Sequence, residues 1–148
     1  MTATFTPTRP VPPLPGTTLL GLKATTLIEL GDAVETGFKT TTLERLSKRL
    51  GLTLSEMLKL IGLSASSYHE HVRAGRPIRS TLSGQLYQLA CVTEAAEAYF
   101  EDPAEAHTWL KTPRATFGGR SPLQFALLPG GPGYVTTILD RLEHGVYS

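Results

Sequence analysis

Apolar side chains recur at helical spacing along most of this 148-residue chain, and glycines interrupt the pattern. Leucine and valine lie three or four residues apart within 27–34 and within 43–50, and Gly37 and Gly51 follow these two segments. The same spacing over Ser80–Phe100 predicts one long helix. No segment alternates apolar and polar residues between hairpin turns, as strands do. We therefore predict an all-α fold.

Two shorter helices are predicted after the second of these segments. Thr53 and Glu56 have the spacing of a capping box, in which each side chain binds the backbone amide of the other. After Gly62, Ser64 is a capping residue for a second helix that runs to about Ala74. Two helices with a glycine-containing turn between them have the layout of a helix-turn-helix.

A series of shorter helices is predicted in the last third of the chain. Pro103 and the pair Ser121-Pro122 open two of them, because proline fits the first turn of a helix. The glycine-rich stretch 130–133 predicts a flexible turn. The apolar spacing of 135–142 predicts a final helix, which Gly145 ends.

Residues 1–18 contain five prolines, which predicts a flexible or extended tail. No apolar run approaches the ~20 residues that span a bilayer, and the beginning of the chain lacks the apolar core of a signal peptide. The single cysteine, Cys91, excludes an internal disulfide. These observations predict a cytoplasmic protein with no membrane partner.

The charge distribution predicts two surfaces with different partners. Residues 39–79 hold eight Lys and Arg against three acids, whereas residues 80–148 hold four against seven, although the net charge of the whole chain is only +1. A basic middle favours contact with nucleic acid phosphates. An acidic end favours another kind of partner.

The second helix of the helix-turn-helix is the candidate DNA-binding element, because in this layout it can lie in the major groove. Its exposed side chains and the arginines that follow are the candidate DNA-binding residues: Ser66, Ser67, His69, Arg73, Arg76 and Arg79. A second basic group, Arg45, Lys48 and Arg49, is the alternative DNA surface. Spacing alone leaves open a plain antiparallel helix pair with solvated charges.

Neither a metal site nor a catalytic site is predicted. His69 and His71 lie two residues apart on a helix, so their side chains diverge. The stretch 130–133 has neither the spacing nor the preceding strand of a phosphate-binding loop. No nucleophile, base and oxyanion site occur at recognisable spacing. We therefore expect a binding protein without a cofactor rather than an enzyme.

The second half of the chain resembles a known family. The elements that carry this resemblance are Ala104–Leu110 with its Trp-Leu pair, Pro113, the Gly-Gly-Arg-Ser-Pro-Leu run within Phe117–Leu123, and the ending from Val135 to the His-Gly-Val at 144–146. Together they resemble the toxin-binding domain of Xre/MbcA/ParS antitoxins. Upstream, Gly51–Arg79 is similar to the Xre-like helix-turn-helix that accompanies this domain.

The resemblance implies a function that spacing does not show. Such antitoxins accompany toxins of the RES type, which destroy NAD, so NAD is the toxin's substrate and not a ligand of this chain. The resemblance implies a helix-turn-helix and dimerisation domain at 19–94, with homodimers that bind operator DNA and regulate the operon. It also implies a toxin-binding domain at 95–148 that covers the entrance to the toxin's active site.

The candidate toxin-binding residues combine interface-forming side chains with the last three residues. They are Arg120, Tyr134, Arg141, His144, Val146, Tyr147 and Ser148. The last three follow Gly145 and are expected to plug the toxin's NAD pocket, whereas the competing view is that the helix faces alone cover it. A stand-alone helix-turn-helix regulator, whose last helices dimerise or bind an effector, remains the alternative function.

Overall fold

The computed structural model describes residues 13–145, which contain nine α-helices and no strand. A 3-10 turn, Ala115–Phe117, lies between the seventh and eighth helices. The helices α1 to α9 are Thr17–Leu20, Leu27–Thr36, Thr40–Leu50, Leu54–Ile61, Ala65–Ala74, Ser80–Phe100, Pro103–Lys111, Pro122–Ala126 and Gly131–Glu143. The predicted all-α fold is confirmed.

Side chains cap the helices at the positions that the sequence predicts. Thr53 Oγ1 accepts a hydrogen bond from the Glu56 amide, and Glu56 Oε1 accepts one from the Thr53 amide, both at 3.1 Å. This is the predicted capping box of α4. Ser64 caps α5 through the amide three residues later. Ser121 caps α8 in the same way, with Gln124 as its reciprocal partner.

Helix α6 is the centre of the fold. It contacts α1, α2, α3 and α4 from the first half of the chain and α7, α8 and α9 from the second, so one hydrophobic core joins both halves. Although α6 is 21 residues long, neither it nor another helix within 13–145 is apolar enough over sufficient length to cross a membrane. Its buried apolar side chains are Leu82, Leu86, Leu89, Ala90, Val92 and Ala96.

The junction between α2 and α3 is bound to the start of α6. The Ile78 amide donates to the Phe38 carbonyl at 2.8 Å, and the Phe38 amide donates to Ser83 Oγ at 2.9 Å. Ser83, which is fully buried, donates in turn to the Ile78 carbonyl at 3.0 Å. Gly37 has a φ of 97°, and a Cβ there would lie 2.1 Å from the Ile78 oxygen. This position therefore requires glycine.

The last residues of the tail predicted at 1–18 are part of the folded structure. Helix α1 begins at Thr17, whose side chain is buried and donates to the Leu14 carbonyl at 2.7 Å. The Gly16 amide donates to the Glu94 carboxylate on α6. Packing against α6 therefore captures this part of the predicted tail, and residues 1–12 lie outside the described residues.

The prediction of a flexible turn at 130–133 is wrong, because α9 already begins at Gly131. Gly131 is buried, and a Cβ there would lie 2.0 Å from the Phe125 carbonyl oxygen of α8. Pro132 fits the first turn, since the amide it lacks would have no partner within the helix. The glycine at 131 thus permits close packing of α8 and α9.

Candidate functional site

Helices α4 and α5 form a helix-turn-helix, and one buried side chain anchors its second helix. Gly62 ends α4 with a φ of 75°, and Leu63 is buried in the turn. Tyr68 on the inner face of α5 donates its hydroxyl hydrogen to Glu44 Oε1 on α3 at 2.6 Å. Burial raises the pKa of Tyr68, and Glu44 adds to the rise, so the phenol stays a donor. This anchor leaves the opposite face of α5 in solvent.

The exposed face of α5 brings together three of the predicted DNA-binding residues. Ser66, His69 and Arg73 follow the i, i+3, i+7 spacing of one helix face, and all three are exposed. Glu70 lies among them and is also exposed. Ser67 is displaced to the side of this face and is half-buried. We call the surface formed by residues 66, 69, 70 and 73 the α5 face.

Arg76 reaches the α5 face from the loop after the helix. Its Nη2 lies 3.0 Å from Glu70 Oε1, and both side chains are more than half exposed. Arg79 is exposed at the N-cap position of α6. The buried Ile78 ties this loop to the core through its hydrogen bond to Phe38, so the loop has a defined path past α5.

Three of the predicted toxin-binding residues share one face of α9. Tyr134, Arg141 and His144 lie at i, i+7 and i+10, and all are exposed. Thr137, which the sequence analysis did not select, lies at i+3 on the same exposed face. Its helical spacing from Tyr134 was the signal that could have identified it. We call residues 134, 137, 141 and 144 the α9 face.

Arg120 lies on an exposed loop that is joined to the α9 face. The Tyr134 hydroxyl donates to the Thr116 carbonyl of this loop at 3.0 Å, and the Tyr134 ring meets the Phe117 ring at 5.7 Å between centroids. His144 Nδ1 donates to the Asp140 carbonyl at 2.7 Å at the other end of α9. The remaining predicted toxin-binding residues, Val146, Tyr147 and Ser148, lie outside the described residues.

Two consecutive family matches cover the two halves of the chain. Residues 29–90 match the antitoxin Xre-like helix-turn-helix domain. Residues 95–145 match the antitoxin Xre/MbcA/ParS C-terminal toxin-binding domain. The chain belongs to the Xre/MbcA/ParS-type antitoxins. The α5 face therefore lies in the helix-turn-helix domain of this antitoxin, and the α9 face lies in its toxin-binding domain.

Two relatives extend the similarity across both domains. One, named Antitoxin Xre, is from Pseudomonas putida and is 28% identical over 79% of this chain and 72% of its own length. Another, also named Antitoxin Xre, is from Yersinia enterocolitica and is 27% identical over 87% of this chain and 88% of its own length. The antitoxin is thus a non-enzymatic regulator of a toxin–antitoxin system, with a toxin as partner.

Two of the three residues of the alternative DNA surface on α3, Arg45 and Arg49, make contacts within the antitoxin. Arg45 Nε donates to the Leu19 carbonyl at 3.2 Å, at the end of α1. Arg49 binds both carboxylate oxygens of Glu97, with its shortest contacts at 2.8 Å. Lys48 remains exposed. This arrangement favours the α5 face over α3 as the candidate DNA-binding surface.

Glu97 on α6 joins the two domains of the antitoxin. It accepts from Arg49 on α3 and lies 3.2 Å from His107 Nε2 on α7, and its side chain is only 11% exposed. Burial opposes ionisation of Glu97, but the hydrogen bonds from Arg49 and His107 outweigh this effect and hold its pKa below the ordinary value. A charged carboxylate therefore links the helix-turn-helix domain to the toxin-binding domain.

The two histidines of α5 lie in different environments. His69 is exposed and packs edge-on against the Tyr68 ring, whereas His71 is half-buried with its Nδ1 directed inward. Among residues 13–145, no three His, Cys, Asp or Glu side chains lie close enough together to hold a metal ion.

Proposed function

We propose that this antitoxin binds and sterically blocks a RES-type toxin that degrades NAD, and that it represses its own operon as a DNA-bound homodimer in the cytoplasm. The observation that carries the first part is the α9 face. It places a tyrosine, an arginine and a histidine in one exposed row within the toxin-binding domain. Side chains of these types anchor protein interfaces, and a stoichiometric inhibitor needs contact rather than reaction chemistry.

The central position of the α9 face offers the sharpest test of toxin binding. Thr137→Arg places a large cation in the middle of the row without disturbing the core, because Thr137 is exposed. Ala104→Arg adds the same side chain at an exposed position of α7, in the same domain. We expect Thr137→Arg to weaken binding to the toxin encoded by the neighbouring gene by about tenfold or more.

The measurement is co-purification of antitoxin and toxin, combined with NAD consumption by the complex. Thr137→Arg is expected to release NAD-degrading activity, whereas Ala104→Arg stays as inhibitory as the unchanged antitoxin. Equal inhibition by the two variants would place the toxin contact away from the α9 face. A co-purified neighbour that consumes no NAD when free would refute the RES-type assignment.

A deletion separates the two forms of steric blocking that the sequence analysis left open. In the plug mechanism, Val146, Tyr147 and Ser148 enter the toxin's NAD pocket. Removing residues 146–148 then leaves the complex assembled but restores NAD consumption. If the trimmed complex stays silent, the α9 face and the Arg120 loop do the covering by themselves.

The α5 face supports the proposed binding to operator DNA. Arg73 is exposed on this face, and Arg76 lies beside it. Replacing both by alanine is expected to weaken operator binding. It should also make the plot of log affinity against log salt concentration less steep, by an amount that corresponds to about two phosphate contacts. The control is Lys48→Ala with Lys59→Ala, which removes the same charge from exposed positions on α3 and α4. Toxin neutralisation survives in both double variants.

Helix α2 supports the proposed homodimer. Leu27 and Ile28 are 74% and 78% exposed, and a Cβ at Gly31 would meet nothing within 4 Å. An antiparallel pair of α2 helices centred between Ile28 and Gly31 would cover this apolar surface. Such a pairing uses the same surface of both copies, as a two-fold dimer requires.

Light scattering of purified variants tests the dimer. Ile28→Glu places a carboxylate at the centre of the proposed contact and is expected to yield monomers. Val72→Glu makes the same change at another exposed apolar residue, which is 48% exposed on α5, and leaves the dimer intact. If the Ile28→Glu variant dimerises as tightly as the unchanged protein, the dimer interface does not lie on α2.

A further inference from the structure

Glu70 is an acid at the centre of the surface proposed to face DNA. It lies on the α5 face, one turn from Ser66 and one turn from Arg73. Its side chain is 60% exposed, and its polar partner among the described residues is Arg76 at 3.0 Å. Glu70 caps no helix and belongs to no buried cluster. Within the fold of the described residues, the only role of this carboxylate is therefore an exposed ion pair, which contributes little to stability.

Electrostatics makes this position costly for general DNA binding. A carboxylate near DNA is repelled by the phosphates, and Glu70 also neutralises part of the charge of Arg76. Such an acid lowers affinity for every sequence unless it gains a partner in the complex. In the major groove its natural partner is the exocyclic amino group of cytosine, because an ionised carboxylate can only accept hydrogen bonds.

We propose that Glu70 is a specificity-determining residue of the antitoxin, which accepts a hydrogen bond from the N4 amino group of a cytosine in the operator. The inference rests on the proposed DNA binding through the α5 face. Ser66 and His69 can both donate and accept hydrogen bonds, and Arg73 can only donate. Glu70 is thus the acceptor-only side chain of this face. Arg76 pairs with one oxygen of this carboxylate, and its exposed side can meet a phosphate.

The test uses the full-length antitoxin and a random-sequence duplex DNA library. Sequences enriched by binding are titrated individually, together with their single-base variants, by fluorescence anisotropy. The variants are Glu70→Gln and Glu70→Ala, and the matched control is Glu105→Gln, which removes the same charge from an exposed position on α7. Thermal unfolding confirms that all of them fold, as the exposure of Glu70 leads us to expect.

We expect the unchanged antitoxin to prefer cytosine at one position of each half-site. Glu70→Gln shifts this preference towards adenine, because an amide pairs with the N6 and N7 of adenine, and the cytosine preference falls on the order of tenfold. Glu70→Ala loses discrimination at that position. Both variants bind random-sequence DNA more tightly than the unchanged protein, since a repulsive charge is gone, and Glu105→Gln changes neither property.

Two results overturn the inference and are distinguishable from each other. Tighter binding of both Glu70 variants with an unchanged base preference would mean that Glu70 acts only through its charge. In that case the proposed DNA binding stands, but the base contact is refuted. An unchanged antitoxin that enriches no sequence would overturn the base contact together with the proposed DNA binding.

Discussion

The two domains of the antitoxin contribute different kinds of side chain to the hydrophobic core that they share. In the helix-turn-helix domain, aliphatic side chains fill the space between α3 and α4. In the toxin-binding domain, aromatic rings meet in a continuous series from Trp109 through Phe117 to Phe125 and Tyr134. The buried aliphatic residues of the first domain include Leu43, Leu46, Leu50, Met57, Leu58 and Ile61.

Short elements account for two of the four rings, Phe117 and Phe125, whereas Trp109 and Tyr134 lie on longer helices. Helices α3, α4 and α5 have 8 to 11 residues, which is enough to present two or three turns of one apolar face. Helix α8 has only five residues and the 3-10 turn only three. Elements this short cannot repeat an apolar face, and Phe117 and Phe125 contact neighbouring elements through their large rings. We infer that the toxin-binding domain concentrates its stability in fewer side chains.

The largest effect is expected from removing the central ring of the aromatic series. Phe117 is fully buried and contacts three other rings at 5.5 to 5.8 Å between centroids. Phe117→Ala is expected to lower the free energy of unfolding by about 3–5 kcal/mol and to weaken toxin binding more than DNA binding. The matched variant Leu46→Ala, at a fully buried aliphatic position, is expected to weaken DNA binding more than toxin binding. Urea unfolding and the two binding assays measure this.

Equal losses of both activities in the two variants would contradict this separation. They would mean that α6, which both domains share, makes the whole antitoxin unfold as one unit.

A somewhat smaller effect is expected where α2 and α3 meet α6. Gly37→Ala combines a positive φ with a clash against the Ile78 carbonyl, and is expected to cost about 2–4 kcal/mol. Gly84→Ala is the control, because it lies within α6, where its Cβ would meet only Val34 Cγ1 at an ordinary 3.9 Å, and it is expected to stabilise by about 0.5–1 kcal/mol. Thermal unfolding distinguishes them. If Gly37→Ala melts like the unchanged protein, this junction is not what fixes α6 against the first domain.

The link between the two domains is expected to contribute less. Glu97→Gln keeps the shape of the side chain but removes the charge that Arg49 and His107 bind, and is expected to cost about 1–2 kcal/mol. Because the pKa of Glu97 is lowered in the folded state, its contribution is present above the ordinary pKa of a glutamate. It is lost as the pH falls through the lowered value.

Unfolding measured across this acidic range tests the link between the domains. The difference in stability between the unchanged protein and Glu97→Gln is expected to shrink as the pH falls. A difference that is the same at every pH would show that Glu97 stabilises by packing rather than by its charge.

The smallest effect is expected at the edge of the aromatic series. Tyr134→Phe keeps the ring contacts but removes the hydrogen bond to the Thr116 carbonyl, and is expected to cost about 0.5–1.5 kcal/mol. Tyr134 is 38% exposed, so water can replace part of what is lost. Chemical denaturation resolves a change of this size. A loss as large as that of Phe117→Ala would mean that the hydrogen bond, rather than the rings, positions the loop of Arg120.

Local signals were sufficient to predict most of the helices. The long helix was predicted at Ser80–Phe100, where the structure has it, and the capping box of Thr53 and Glu56 formed as predicted. The prediction failed at Gly131, where the reason for the glycine is the carbonyl of Phe125 on a different helix. The sequence also did not indicate Thr137, because only its position in the exposed row on α9 makes this threonine a candidate contact residue.

Sequence by itself determined most of the helices, the helix-turn-helix and the family, because caps, glycines and apolar spacing act over a few residues. Only the tertiary structure decided which charges remain available to partners. Arg49 and Arg73 are both arginines of the basic segment 39–79. Arg49 is bound to Glu97, 48 residues away, whereas Arg73 stays exposed. The physical reason is that an ion pair between distant residues forms only after α6 has packed against α3, and no local pattern records that event.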